Sequence, residues 1–116
     1  MRKLVLLLVG VLFFNSASAV EYFKGRTIIG VGVFYSGAKS ILFITIDGDK
    51  SSMSPCANSK RFAIDSNTPN FKEMVSAAMT AYATKDKKVD LIVNKTCDHW
   101  ENSQDLLGIK IGDMPW

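Results

Sequence analysis

The sequence contains few of the residues from which enzyme and metal sites are built. Its 116 residues include one histidine, His99, and two cysteines, Cys56 and Cys97. A structural zinc site needs four ligands, and only Cys97 and His99 are closely spaced here. A nucleophilic enzyme needs a nucleophile, a base and an orienting group, and no G-x-S-x-G, P-loop or H-E-x-x-H segment occurs. We therefore predict no cofactor and no catalysis, and a small hydrolase that uses His99 is the least favoured function.

Basic residues are too few and too scattered to predict a nucleic-acid partner. The formal net charge of +3 includes Arg2 and Lys3 at the extreme N-terminus, and without these two residues it falls to +1. The densest basic cluster, Lys-Asp-Lys-Lys at residues 85–88, is typical of a solvated helix end rather than of a phosphate-binding surface. We expect no binding to nucleic acid.

Residues 1–19 have the pattern of a cleavable signal peptide. Two positive charges precede an apolar run at residues 4–14, and the segment ends in the small residues Ala17, Ser18 and Ala19. The apolar run is far shorter than the roughly 20 residues that a membrane-spanning helix needs. A retained N-terminal anchor is the less favoured alternative. We predict cleavage after Ala19, which leaves residues 20–116 as a single secreted or periplasmic domain without a membrane span.

Export places both cysteines in a compartment where thiols are oxidised. We therefore predict a disulfide between Cys56 and Cys97. The bridge closes a loop of about 42 residues, for which the chain-entropy model gives a stabilisation of roughly 4 kcal/mol. A domain of this size buries only a modest core, so a single bridge contributes a large share of its stability.

The hydrophobic pattern predicts five strands and one helix. The strands are expected at residues 26–35, 40–47, 61–65, 89–93 and 105–111, and the first two form a hairpin around residues 36–38. Thr68 is expected to cap the helix, with Pro69 at its first helical position, where the missing N–H of proline costs nothing. Its core-facing stripe is expected to comprise Phe71, Met74, Val75, Ala78, Met79 and Tyr82.

This order of elements predicts a small α+β domain. One amphipathic helix between the third and fourth strands is typical of the five-stranded, partly open barrel called the OB-fold. Gly30-Val31-Gly32 lacks the third glycine and the following helix of a dinucleotide-binding loop. Asp47-Gly48-Asp49 lacks the later ligands of a calcium loop and is interpreted as a turn between strands.

The segment from residue 55 to residue 111 carries a family resemblance. A cysteine precedes the sequence R-F-x-x-D, which is followed by Thr-Pro, an alanine-rich helix and T-C-x-x-W. Phe71, Ala78, Tyr82 and Thr84 follow the helix pattern F-x6-A-x3-Y-x-T. This layout is found in small secreted bacterial proteins and resembles the B subunits of pertussis-like AB5 toxins, among them those of subtilase cytotoxin and its typhoid-toxin relatives.

The resemblance implies an OB-fold subunit of a ring pentamer. It implies recognition of sialylated cell-surface glycans without catalysis, beside an A-type toxin subunit. It also implies a glycan-binding hydroxyl at the start of the first strand, which matches Thr27, with Arg26 beside it. Trp100 and Trp116 are further candidates for stacking on sugar rings. The alternative function is that of a stand-alone periplasmic structural or interaction protein with no sugar site.

Overall fold

The computed structural model describes residues 20–116, and the predicted leader at residues 1–19 lies outside them. The described part contains six strands and one helix. In chain order these are β1 (Val20–Arg26), β2 (Ile28–Ser36), β3 (Lys39–Ile46), β4 (Phe62–Asp65), α1 (Phe71–Thr84), β5 (Val89–Asn94) and β6 (Gln104–Ile111). Within residues 20–116, no helix combines the length and the apolar character that a bilayer span requires.

The strands form one sheet in the order β1-β5-β6-β4-β3-β2. All neighbouring pairs are antiparallel except β4 and β6, which run parallel. Only Thr27 separates β1 from β2 in the chain, although these strands lie at opposite ends of the strand order. The first strand therefore bends from one end of the sheet to the other, which gives the partly open, OB-like barrel. The predicted α+β fold is confirmed.

The strand count is six rather than five because the first strand begins at Val20 and is broken at Thr27. Gly25 has a φ of +65°, and the register with β5 shifts between Phe23 and Arg26. The Gly25 N–H donates to Asp90 Oδ1 at 2.9 Å, which fixes the chain at the bend. Glycine suits this position because a side chain at positive φ is strained.

The other five strands lie close to their predicted positions, and the predicted hairpin joins β2 and β3. Gly37, with a φ of +64°, and Ala38 form its two-residue turn. Alternate residues of β3 point into the core against α1, β5 and β6. The fully buried large hydrophobic side chains of this core are Phe62, Ile28, Leu42, Ile44, Ile46, Ile64, Leu91, Leu106, Val89 and Val93, and Ile41 is fully buried on the opposite face of β3.

The helix differs from the prediction at its start and in the width of its buried face. It begins at Phe71, since the Thr68 hydroxyl donates to the Asp65 carbonyl and Thr68 therefore belongs to the preceding turn. Met74, Ala78 and Ala81 are buried, whereas Met79 and Tyr82 are each 47% exposed. The main packing partners of the helix are β2 and β6, and these cover a stripe too narrow to include Met79 and Tyr82.

Two loops are held together by the predicted disulfide. Cys56, between β3 and β4, is bonded to Cys97, between β5 and β6, with their Cα atoms 6.2 Å apart. The buried Asp105 carboxylate fixes the second loop, because it accepts hydrogen bonds from the Asp98 N–H at 2.8 Å, the His99 N–H at 3.0 Å and the Thr96 hydroxyl.

Candidate functional site

A cavity of about 330 Å³ lies beside the break between β1 and β2. We name it the Thr27 cavity, after the candidate glycan-binding residue in its wall. Residues from the start of β2 form one side, and residues from the C-terminal end of α1 and the segment after it form the other. The lining residues are Thr27, Ile28, Ile29, Tyr82, Lys85 and Lys87.

The backbone of Thr27 is fixed by the turn that follows β3. Its N–H donates to Asp47 Oδ1 at 2.8 Å, and its carbonyl accepts from the Asp47 N–H at 3.0 Å. No side-chain hydrogen bond in the described part of the chain uses the Thr27 hydroxyl, whereas both backbone groups are occupied. Thr27 is thus held in place by its main chain, and its hydroxyl has no side-chain hydrogen-bond partner among residues 20–116.

The Arg26 side chain holds the same turn from its other side. Its Nη1 donates to the Asp47 carbonyl at 2.7 Å, and its Nη2 donates to the Asp49 carbonyl at 2.8 Å. Gly48 permits this close approach, because a Cβ at Gly48 would lie 3.0 Å from Arg26 Nη1. The predicted turn at residues 47–49 therefore wraps around the guanidinium of Arg26, which fixes the wall of the Thr27 cavity.

The two lysines of the cavity are placed by the end of the helix. Lys85 adopts a left-handed conformation, with φ 54° and ψ 42°, and its N–H donates to the Tyr82 carbonyl at 3.3 Å. The Asp86 N–H donates to the Ala81 carbonyl at 3.1 Å, which completes a Schellman C-cap. Glycine is the usual residue at this left-handed position, so a lysine here is strained relative to glycine.

The sequence patterns did not predict that Tyr82, Lys85 and Lys87 share a cavity. Tyr82 was expected in the core, and the basic cluster at residues 85–88 was expected to be solvated. The one available indication was that this cluster follows the helix directly, at the end of the apolar stripe.

The cavity combines a hydroxyl, an aromatic ring and two ammonium groups. None of the ion pairs found among residues 20–116 includes Lys85 or Lys87. Their charges are therefore available to an anionic ligand, while the ring of Tyr82 offers an apolar surface to a sugar. This combination suits a carboxylate-bearing carbohydrate better than a neutral apolar molecule.

A second polar cluster lies at the end of β4. Asp65 Oδ2 accepts from Lys39 Nζ at 3.2 Å and contacts His99 Nδ1 at 3.0 Å, while Oδ1 accepts from the Asn67 N–H at 3.0 Å. Burial by itself would raise the pKa of Asp65, because it disfavours the charged carboxylate. The hydrogen bonds from His99, Lys39 and Asn67 outweigh burial, so that the net pKa of this carboxyl is lowered from its ordinary value of 3.8.

Because the Asp65 carboxylate accepts these hydrogen bonds in the folded state, we predict that its protonation in acid lowers the free energy of unfolding. A carboxyl whose pKa is lowered on folding stabilises the fold fully above its unfolded-state pKa, near 3.8, and loses this contribution as the pH falls through the lower folded-state value. We expect the free energy of unfolding, measured with urea, to fall as the pH drops below about 4. In Asp65→Asn, which does not titrate, this part of the pH dependence should disappear; an unchanged pH profile would refute the assignment.

In the Asp65–His99 pair, His99 resembles the base of a hydrolase and Asp65 its orienting group. The nucleophile that such an enzyme also needs is not found beside them in the described part of the chain. Within residues 20–116, no serine, threonine or cysteine side chain is hydrogen-bonded to the His99 ring. In the same range, no three histidine, cysteine or acidic side chains are placed to share a metal ion. The pair instead attaches the loop that carries Cys97 to the sheet.

The bent first strand, the barrel and the single helix define the class of fold found in the B subunits of AB5 toxins. Among solved structures, the homopentamer of a point mutant of Salmonella typhi PltB is similar to this chain, with 18% identity and a TM-score of 0.61. A second PltB homopentamer, also a point mutant and solved with Neu5Ac-alpha-2-3-Gal-beta-1-4-GlcNAc glycans, has 17% identity and a TM-score of 0.60. Each match covers 81% of this chain and 86% of the PltB chain.

These matches confirm the resemblance to AB5 toxin B subunits that the sequence predicted. At this level of identity the likeness shows a shared fold. No protein-family model and no curated protein sequence matches the chain.

Proposed function

We propose that this chain is an exported, non-catalytic binding module that recognises acidic, sialic-acid-containing glycans in the manner of an AB5 toxin B subunit. The observation that carries the proposal is the Thr27 cavity, in which a hydroxyl, a tyrosine ring and two lysines meet on this fold. The pattern of a signal peptide at residues 1–19 supports delivery outside the cytosol.

Each lining residue has a distinct role in this proposal. Lys85 and Lys87 attract and bind the carboxylate of the sugar, and the Thr27 hydroxyl donates a further hydrogen bond to it. The ring of Tyr82 packs against the apolar face of the sugar. Arg26 acts as a positioning residue, because its guanidinium is occupied by the carbonyls of Asp47 and Asp49.

The left-handed Lys85 supports a role in binding. A non-glycine residue in this region costs about 1 kcal/mol or more relative to glycine, and such strain is concentrated at functional sites. The strained backbone holds a positive charge at the cavity mouth, where a glycine would leave none.

Self-assembly is the second part of the proposal. Both solved structures reported above are homopentamers. Among the strands of residues 20–116, β2 pairs with β3 alone, so its other edge is unpaired in this range, and Ile29, Val33 and Tyr35 are exposed on this edge strand. An unpaired apolar edge is suited to contact with another copy. We propose a homo-oligomer, a pentamer by analogy, that presents several Thr27 cavities and accompanies an A-type subunit.

We expect Thr27→Ala and Lys87→Gln each to weaken glycan binding at least about tenfold, since each removes one hydrogen bond to a charged group. The measurement is the dissociation constant of each variant for immobilised Neu5Ac-alpha-2-3-Gal-beta-1-4-GlcNAc. The disaccharide that lacks the sialic acid is the ligand control. Thr80→Ala and Lys72→Gln are matched controls on the exposed face of α1 and should bind as the parent does. Equal binding by all four variants would contradict the assignment of the cavity.

A further inference from the structure

Three aromatic rings cluster on the face of the β2–β3 hairpin that points away from the core. We name Phe34, Phe43 and Trp100 the aromatic shelf. The ring centroids of Phe34 and Phe43 are 5.6 Å apart, and the Trp100 ring lies edge-on to both, at 5.3 Å and 5.7 Å. Phe34 remains 45% exposed, so the shelf presents apolar ring surface to solvent.

Gly32 leaves an open patch of sheet surface beside the shelf, which we name the Gly32 patch. Gly32 pairs directly with Phe43 in the β2–β3 ladder and lies two residues from Phe34, so its missing side chain would point to the same face. A Cβ built at Gly32 meets no atom within 4 Å. The space above the Gly32 patch is therefore open, and Phe34 and Phe43 lie on the same face of the hairpin.

Arg61 supplies a fixed positive charge at the edge of the shelf. Its guanidinium carbon lies 4.2 Å from the centroid of Phe43, and it donates from Nε to Ser59 Oγ at 3.1 Å and from Nη2 to Asn102 Oδ1 at 2.9 Å. These bonds use two of its five N–H donors. Among residues 20–116 no acidic side chain forms an ion pair with Arg61, so its charge is held in one place and is not neutralised.

We propose that the Gly32 patch is a second ligand site, which takes a pyranose ring bearing a carboxylate. The apolar face of the ring packs against the exposed ring of Phe34, and the carboxylate binds the free N–H groups of Arg61, whose guanidinium lies over Phe43. An aromatic surface beside an unneutralised guanidinium is complementary to both parts of such a ligand, because arginine pairs with carboxylates in a bidentate manner. This site shares no residue with the Thr27 cavity and does not depend on glycan binding there.

The test uses the fluorescence of Trp100 to report ligand binding at the adjacent site. The protein contains two tryptophans, so in a Trp116→Phe background all tryptophan fluorescence comes from Trp100. D-glucuronate is the probe, and D-glucose is the neutral control of the same ring shape. We expect a saturable fluorescence change with D-glucuronate and a response at least about tenfold weaker with D-glucose, since the carboxylate–Arg61 contact is charge-assisted.

Two variants locate the site, and a third separates it from the Thr27 cavity. Gly32→Val places a branched side chain on the Gly32 patch, where a Cβ meets no atom within 4 Å, and Arg61→Gln removes the charge; each should raise the dissociation constant for D-glucuronate at least about tenfold. Lys87→Gln changes a residue of the Thr27 cavity. It should leave the dissociation constant for D-glucuronate, as reported by Trp100, within about twofold of the parent value, whatever its effect on sialoglycan binding. No saturable signal with D-glucuronate, an equal response to D-glucose, or parent-like binding by Gly32→Val would each overturn the proposal.

Discussion

Replacing Asp105 with alanine is expected to lower the free energy of unfolding by about 3 kcal/mol. The carboxylate of Asp105 is buried, with the residue only 4% exposed. It accepts hydrogen bonds from the Asp98 N–H, the His99 N–H and the Thr96 hydroxyl. Its removal leaves three donors, on half-buried and exposed residues, without the charged acceptor that holds them, and a hydrogen bond to a charged group contributes about 1.5–3 kcal/mol, less where water can replace it. Urea unfolding followed by circular dichroism measures the loss.

Two further variants test this explanation for Asp105. Asp105→Asn keeps one acceptor oxygen and should retain part of the stability. Asp113→Ala removes a carboxylate of the same type that lies exposed beside Lys88, and it should leave the unfolding curve unchanged. If Asp105→Ala unfolded at the same urea concentration as Asp113→Ala, the carboxylate would not be organising the loop.

Removing the disulfide is the second change with a large expected effect. The double substitution of Cys56 and Cys97 by serine frees a loop whose ends are 41 residues apart. Without the bridge the unfolded chain regains conformational entropy, and the chain-entropy model gives a loss of roughly 4 kcal/mol as an upper value. We expect a much lower urea midpoint for the double variant, matched by the unsubstituted protein under reducing conditions.

The disulfide and Asp105 stabilise the same loop, so their effects should not add. Asp105 accepts hydrogen bonds from residues on both sides of Cys97. When the bridge is absent, the loop is less ordered and the carboxylate has less structure to hold. In a double-mutant cycle we expect Asp105→Ala to cost less without the bridge than with it. Strictly additive losses, or a double serine variant as stable as the parent, would contradict this coupling.

Most of the fold could be predicted because its signals are local. The hairpin of β2 and β3 follows from β-branched runs on either side of Gly37, and the helix follows from its apolar spacing and alanine content. The missed strand, β1, mixes charged and apolar residues and pairs with β5, which is distant in the chain. Its formation depends on that long-range pairing and on the bend at Gly25, and neither leaves a clear pattern in the sequence.

The candidate site could be predicted only in part. The family resemblance indicated Thr27 and Arg26, but the other side of the cavity depends on how the helix ends. Tyr82 is 47% exposed because it lies beside the narrow stripe of α1 that packs on β2 and β6, although Ala81 in the same turn is buried. Lys85 reaches the cavity through a left-handed backbone that the sequence gives no reason to expect, since glycine usually occupies such a position.

The most direct test of the proposed function is a titration of the isotopically labelled protein with Neu5Ac-alpha-2-3-Gal-beta-1-4-GlcNAc, followed by amide NMR shifts. Binding in the Thr27 cavity predicts saturable shifts at Thr27, Ile28, Lys85 and Lys87 that disappear in Lys87→Gln. If these amides stayed in place at saturating glycan, the chain would share the fold of the toxin B subunits without using this cavity to bind sugars.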